Sequence, residues 1–249
     1  MSLEPNFDEE AELTQVLESL HEAIENPSDR SRSLLEKSLA RIDEYLKQSY
    51  QQEEYSEIYI DFEYEISEVL NGGEFRSDVN GDEATQDTEI LSLIHKYICA
   101  HNENVEVVLA ANPFISEDLK WKLAESEYEW EEDGTREALA RNTQDPRLLT
   151  HLSEVGNDNV KHQVALNHAT PIEALDRLSH ETGQCNFQME ECLFGELSSF
   201  RGFIRWAVAQ NPSTHFSTLE KIIKGDLDPL NDQTELEILQ LVTERLARP

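Results

Sequence analysis

The sequence predicts an all-α fold, an α-solenoid of short helical repeats with additional N-terminal helices and a C-terminal capping helix. Three observations carry that prediction. One composite pattern of Ala, Asn, Pro and spaced leucines returns four times. Outside it, apolar residues recur at intervals of three and four. Even the aromatic-rich run YSEIYIDFEYEISEVL (55–70), which could pass for a strand, spaces Ile58, Phe62, Ile66 and Val69 as a helix does.

The elements follow in chain order. Leu13, Val16, Leu17, Leu20 and Ile24 mark one amphipathic helix; after the cap NPSD, Leu34, Leu35, Leu39, Ile42 and Leu46 mark a second. With the 55–70 helix, these make residues 1–70 an N-terminal helical segment. The polar, Gly-bearing run NGGEFRSDVNGDEATQD (71–87) reads as an acidic linker. A helix from Ile90 to Ala100 leads into the repeats, and TELEILQLVTERLA (234–247) closes the 88–249 body with the polar-faced end that stacked repeats need.

The linker overlaps a partial calcium-loop pattern. In DVNGDEATQDTE (78–89), Asp78, Asn80 and Asp82 stand at loop positions one, three and five, and Glu89 at twelve, all places for oxygen ligands. Position six, where glycine makes the sharp turn, is Glu83, and position eight is Thr85 rather than a hydrophobe. A flexible acidic linker is the preferred reading, and neither a metal nor another cofactor is expected.

The repeats align on Asn112, Asn142, Asn167 and Asn211. Two residues before each stands Ala110, Ala140, Ala165 or Ala209, and before that an aliphatic residue. Pro113, Pro146, Pro171 and Pro212 follow at the first or fourth place after the Asn. Leucines or isoleucines then return at helical spacing, as in Leu175 and Leu178. Ala lets a neighbouring backbone come close. Asn tolerates the left-handed conformation that ends helices, and its side chain can bond turn groups. Thr-Pro (170–171) and Asp-Pro (145–146) offer a cap with Pro at the first helical position. Each copy is thus helix, corner, helix, too short to bury its apolar stripe alone, so copies must stack.

The strings "A-x-N-P" and "A-x-N-x-x-T-P-x-x-x-L-x-x-L", clearest at 163–178 and 207–222, resemble the leucine-rich repeat variant family, a HEAT-like α-solenoid. The resemblance covers roughly residues 104–225 and implies a stack of short helix pairs. The spacings between the asparagines, 30, 25 and 44 residues, depart from a regular repeat; the excess lies in insertions at 125–134 and 181–200. Some family members hold an iron–sulfur centre in a cysteine cluster, and this chain has no such cluster. Its cysteines, Cys99, Cys185 and Cys192, are odd in number, which fits a reducing compartment.

Charge narrows the function. Acidic residues number 52 against 20 basic ones, a net of −32. Such a field repels phosphate backbones and anionic membranes and draws basic proteins in; a plain solubility coat is the alternative reading. No apolar run approaches membrane-spanning length, and MSLEPNFDEE lacks a signal-peptide pattern, so a cytoplasmic protein is expected. Among the eight histidines, His162 and His168 flank one corner, but no zinc spacing, nucleophile motif or phosphate loop occurs. Trp121 and Trp206 lie on helical stripes and are assigned to the core.

In the insertions, aromatics sit among carboxylates: Tyr128, Glu129, Trp130 and Glu131 in one, Phe187, Met189 and Phe194 in the other. Rings that anchor and charges that steer suit a protein-binding surface; the alternative is that they fold back over neighbouring repeats. The expected function is a non-enzymatic scaffold or adaptor binding a basic protein. Two alternatives stand beside it. One is an inhibitor, antitoxin or immunity-type protein that masks a nucleic-acid-binding surface by charge mimicry; the other is a HEAT-like lyase or glycosylase.

Overall fold

The computed structural model describes residues 8–52, 57–71, 84–99, 102–125, 133–181, 202–224 and 232–247, and every regular element among them is an α-helix. None of these helices is long and apolar enough to cross a membrane. Contacts within the chain divide it into two compact units, Met1–Ser126 and Glu127–Pro249. That division falls inside the 125–134 insertion, not at the 71–87 run where the sequence suggests a linker.

The first unit holds α1 (Glu9–Glu25), α2 (Asp29–Gln52), α3 (Glu57–Asn71), α4 (Thr88–Tyr97), α5 (Glu103–Ala111) and α6 (Glu117–Glu125). Capping side chains start most of them. Asp8 accepts from Ala11 N, Ser28 from Ser31 N, Asp87 from Glu89 N and Ile90 N, and Asn102 from Val105 N. Leu13, Val16, Leu20 and Ala23 of α1 and Leu35, Leu39, Ile42 and Leu46 of α2 are buried, so both N-terminal stripes face the core; Leu34 stays exposed. In packing, α1 lies on α2 and α3, α3 on α5, and α2 on α4.

Residues 84–87 are not linker. Ala84 and Thr85 are buried, and Thr85 closes the end of α3 by donating its N–H to Leu70 O (3.3 Å) and its hydroxyl to Val69 O (2.8 Å). Those two bonds satisfy carbonyls that the last helical turn leaves open. So the approach to α4 is tied back to the end of α3. Next-but-one packing thereby extends to α1–α4, which carry no copy of the Ala/Asn pattern.

The second unit holds α7 (Gly134–Asn142), α8 (Pro146–Val155), α9 (Asp158–Leu166), α10 (Ile172–Leu178), α11 (Phe203–Gln210), α12 (Phe216–Lys224) and α13 (Asp232–Leu246). Here α7 lies on α9, α9 on α11, α11 on α13, and α8 on α10. The even helices are tied across by Arg177 Nη2 to Ser153 Oγ (2.9 Å), and by Thr218 Oγ1 (2.7 Å) and Lys221 Nζ (2.8 Å) to Asp176. Ile238 and Val242 of α13 complete a buried cluster with Ala209, Leu219 and Ile222, and Trp206 packs against it.

The corner asparagines join copy to copy. Asn211 Nδ2 donates to the carbonyls of Ala165 (2.7 Å) and Asn167 (2.8 Å) in the preceding pair. Asn167 Nδ2 does the same to Ala140 (2.8 Å) and Thr143 (2.9 Å), and Asn112 Nδ2 to Leu70 (2.7 Å) and Thr85 (3.2 Å). Each Oδ1 accepts the N–H two residues on, from Phe114, Ala169 and Ser213. At the last rung an arginine replaces the asparagine: Arg245 Nη1 donates to Ala209 O (2.6 Å) and Asn211 O (2.8 Å).

Three details differ from the sequence expectation. The asparagines are not left-handed; Asn112, Asn167 and Asn211 cap at φ −66, −70 and −63 with extended ψ, because the work is done by the side-chain amide. Asn142 is the last residue of α7 and turns its Nδ2 back to Ala138 O (2.9 Å), leaving the cap to Thr143. Asp145 and Pro146 form the expected cap with Pro at the first helical position, but Pro171 is itself the cap of α10. Thr170 turns inward instead, donating to Val164 O, and Thr214 repeats this on Val208 O.

Candidate functional site

Charge is sorted by layer. In the first unit, α1, α3 and α5 together carry thirteen acidic residues and no Lys or Arg. Their partners α2, α4 and α6 carry eight acidic and eight basic residues. In the second unit the balance of the corresponding layer reverses: α7, α9 and α11 hold two acidic and four basic residues. Three of those bases are engaged, Arg136 by Asp133 (2.8 Å), Lys161 by Glu181 (3.3 Å) and Arg205 through Nε to Ser179 O (2.9 Å). Arg141 is exposed and lies close enough to influence His162. Burial, reinforced by Arg141, lowers the pKa of His162 to about 4, and its ring lies 4.8 Å from that of Phe203. His162 is therefore neutral at physiological pH, and His168 is exposed.

An open groove of about 580 Å³ runs along α2 and α4, lined by Arg32, Ser33, Glu36, Glu89, Ser92 and Leu93 among others. Arg32 is its central cation. It donates to Asp87 Oδ2 from Nη2 (2.6 Å) and Nε (3.1 Å), and its Nε lies 3.0 Å from Glu89 Oε2. Burial alone would raise the pKa of Asp87; the Arg32 guanidinium and the capped N–H groups of α4 outweigh it and hold the carboxyl below its usual range. Across the groove Lys96, and then Tyr97, hold the Glu36 carboxyl low as well. Each charge already has its counter-charge, so the groove clasps α2 to the start of α4 and has no uncommitted cation with which to select a ligand.

The sequence-derived candidates separate on the structure. Tyr128, Glu129, Trp130, Glu131, Phe187, Met189 and Phe194 lie outside the described residues, as do Asp78, Asn80 and Asp82 of the calcium-loop pattern. The fourth, Glu89, sits in the first turn of α4 against Arg32. Among the described residues no group of three His, Cys, Asp or Glu side chains comes together to hold a metal ion. Trp121 and Trp206, assigned to the core, are half-buried, as is usual for so large a side chain, and Trp206 packs against the buried cluster beneath α13. Cys99 is buried, and burial first and Glu106 second push its thiol well up, away from the thiolate that nucleophilic chemistry needs.

Of the repeat residues, Asn112, Asn167 and Asn211 are buried at 1, 8 and 2% exposure, and Ala110, Ala140, Ala165 and Ala209 are buried beside them. Pro113, Pro146 and Pro212 are exposed at the corners and Pro171 is half-buried. The sequence assigns Thr170 to a helix cap and Thr85 to position eight of the calcium-loop pattern, and gives Thr214 and Arg245 no role. The strings NHAT (167–170) and NPST (211–214) hold the signal for two of them, whereas Thr85 and Arg245 act across chain separations that leave no local pattern. No family model, no curated protein and no solved structure matches this chain.

Proposed function

We propose that the chain is an acidic α-solenoid of the leucine-rich repeat variant kind, and that it works without catalysis as a scaffold or adaptor for a basic protein. The observation that carries this reading is the sorting of charge: thirteen acidic residues without one base on α1, α3 and α5, beside a balanced second layer. A coat serving only solubility has no reason to avoid one layer and fill the other. The amide rungs support it too, because a surface that binds through many modest contacts gains from being held in shape beforehand. A narrower version is an inhibitor or immunity-type protein whose carboxylates stand in for phosphates on a nucleic-acid-binding partner. The α7, α9 and α11 layer, with its bases mostly engaged internally, gives weak support to a nucleic-acid substrate.

Affinity capture at low salt, followed by mass spectrometry, tests the reading. Captured proteins with basic surfaces, released steeply by salt, are the expected result, and competition by duplex DNA marks the inhibitor version. An eluate free of basic proteins, or binding indifferent to salt, overturns it.

A further inference from the structure

We propose that the exposed face of α12, carrying Phe216, Glu220 and Ile223, docks a helix of another protein that brings a Lys or Arg onto Glu220 and an apolar residue onto Ile223. The layer charge behind the basic-partner reading plays no part in this, so the two stand or fall separately.

The even helices of the second unit interlock by one rule. Asn167 and Asn211 make corresponding corner bonds, so places counted from them correspond. Ten places after each stands a base, Arg177 or Lys221, and it reaches back to the preceding even helix. Arg177 Nη2 meets Ser153 Oγ (2.9 Å) and Glu154 Oε1 (3.1 Å) on α8. Lys221 Nζ meets Asp176 Oδ1 (2.8 Å) on α10, joined there by Thr218 Oγ1 (2.7 Å). Nine places after each asparagine stands an acid, Asp176 or Glu220. Asp176 is thus the acceptor for the helix that follows, and Lys221 with Thr218 holds its carboxyl below the usual range. Glu220 is the corresponding acceptor on α12. Among the described residues its ion pair is with Lys224 of its own helix (3.3 Å), an exposed pair of little strength.

The apolar residues beside Glu220 agree. Phe216 and Ile223 are 58 and 39% exposed, and with Glu220 they follow the spacing of one helical face. The place of Ile223, twelve after the asparagine, is held on α10 by Ser179, which is fully buried. Ile172 holds the place of Phe216 and is 47% exposed, so Phe216 lies toward the edge of the face and Ile223 toward its middle. Charge complementarity selects the occupant: Glu220 calls for a cation and Ile223 for an apolar neighbour. A small cation covers no isoleucine, and nucleic acid or anionic lipid is repelled. One helix supplies both needs, as α12 itself does with Lys221 and Thr218 beside the buried Leu219 and Ile222.

The probe is a fluorescein-labelled peptide of residues 211–224, held helical by a hydrocarbon staple in place of Phe216 and Glu220, which leaves the Thr218 and Lys221 side intact. Its anisotropy is read against the full chain at low salt, and circular dichroism checks that each variant keeps its helicity. The parent should bind. Phe216→Ser with Ile223→Ser should weaken binding about tenfold by losing apolar burial. Glu220→Lys should weaken it about three- to fivefold. A second peptide carrying Lys221→Glu should reverse that order and bind the Glu220→Lys chain more tightly than the parent. If the parent binds neither peptide, the serine pair has no effect, or the second peptide still prefers the parent, the docking surface is wrong and the basic-partner reading is untouched. Self-association of the parent in sedimentation, abolished by the same substitutions, would make a second copy the occupant and overturn the partner.

Discussion

Replacing Asn211 by Ala removes three hydrogen bonds made by one side chain at 2% exposure: two donated to Ala165 O and Asn167 O, and one accepted from Ser213 N. The losses are unequal. Asn167 O keeps a second donor in Thr170 N (3.1 Å), so it is not orphaned. Ala165 O and Ser213 N lose the partner that Asn211 supplies, and an unsatisfied buried group costs roughly 1–3 kcal/mol. The variant should therefore lose about 2–4 kcal/mol. Asn142 stands in the same sequence pattern, yet it is half-buried and bonds only Ala138 O of its own helix, so Asn142→Ala should cost less than about 1 kcal/mol. Urea unfolding followed by circular dichroism, with hydrogen exchange across α11 and α12, separates the two. Equal costs, or a loss below about 0.5 kcal/mol for Asn211→Ala, would refute the reasoning from buried amides. Asn211→Asp sharpens the test by facing a carboxylate toward two carbonyl oxygens. Its folded-state pKa should rise above the unfolded value of about 3.9. The destabilisation is then full above the folded pKa and relieved as pH falls through it, the opposite of an ordinary paired carboxylate.

Arg245→Met keeps much of the stem but deletes the bonds to Ala209 O and Asn211 O; a loss of about 1–3 kcal/mol is expected, read as faster hydrogen exchange confined to α12 and α13. Gly156→Ala would place a Cβ 2.4 Å from Val160 Cγ1 and 2.7 Å from Leu152 O, although φ there is an ordinary −71. About 1–3 kcal/mol should be lost to overpacking in thermal unfolding. Val160→Ala should recover part of that but not all, since the backbone contact remains. His162 is held neutral, with a folded pKa of about 4 against 6.5 unfolded. Between those values the unfolded chain binds the extra proton, so stability should fall as pH drops from 6.5 to about 4 and level off below. After allowance for partial exposure the loss is about 2 kcal/mol, and His162→Gln should flatten it. An NMR titration of the His162 ring that gives a midpoint near 6.5 would remove the basis for this.

The helices themselves were legible in the sequence because their causes are local. Spaced leucines on α2, the Asp145–Pro146 start of α8 and the stripe of α13 each depend on residues within a turn or two. The corners were half legible. The pattern located Asn167 and Asn211 as corner residues, but not whether backbone or side chain would turn the chain there. The same Ala-x-Asn pattern at Asn142 behaves differently because α7 runs one residue further before its cap.

Taken alone, the order of residues determined that this chain is helical, where most helices start, which stripes are apolar and how large the negative charge is, since all four follow from short-range spacing and composition. Tertiary structure decided which helices share a layer, and therefore that α1, α3 and α5 gather thirteen acids while α7, α9 and α11 gather two. It also decided that Thr85 receives the Asn112 rung in the first unit, and that Arg245 follows the rungs of Asn167 and Asn211 in the second. Helices that pack next-but-one bring together residues far apart in the chain, 27 positions for Asn167 and Ala140 and 46 for Asn211 and Ala165, and at that range no local periodicity records the contact.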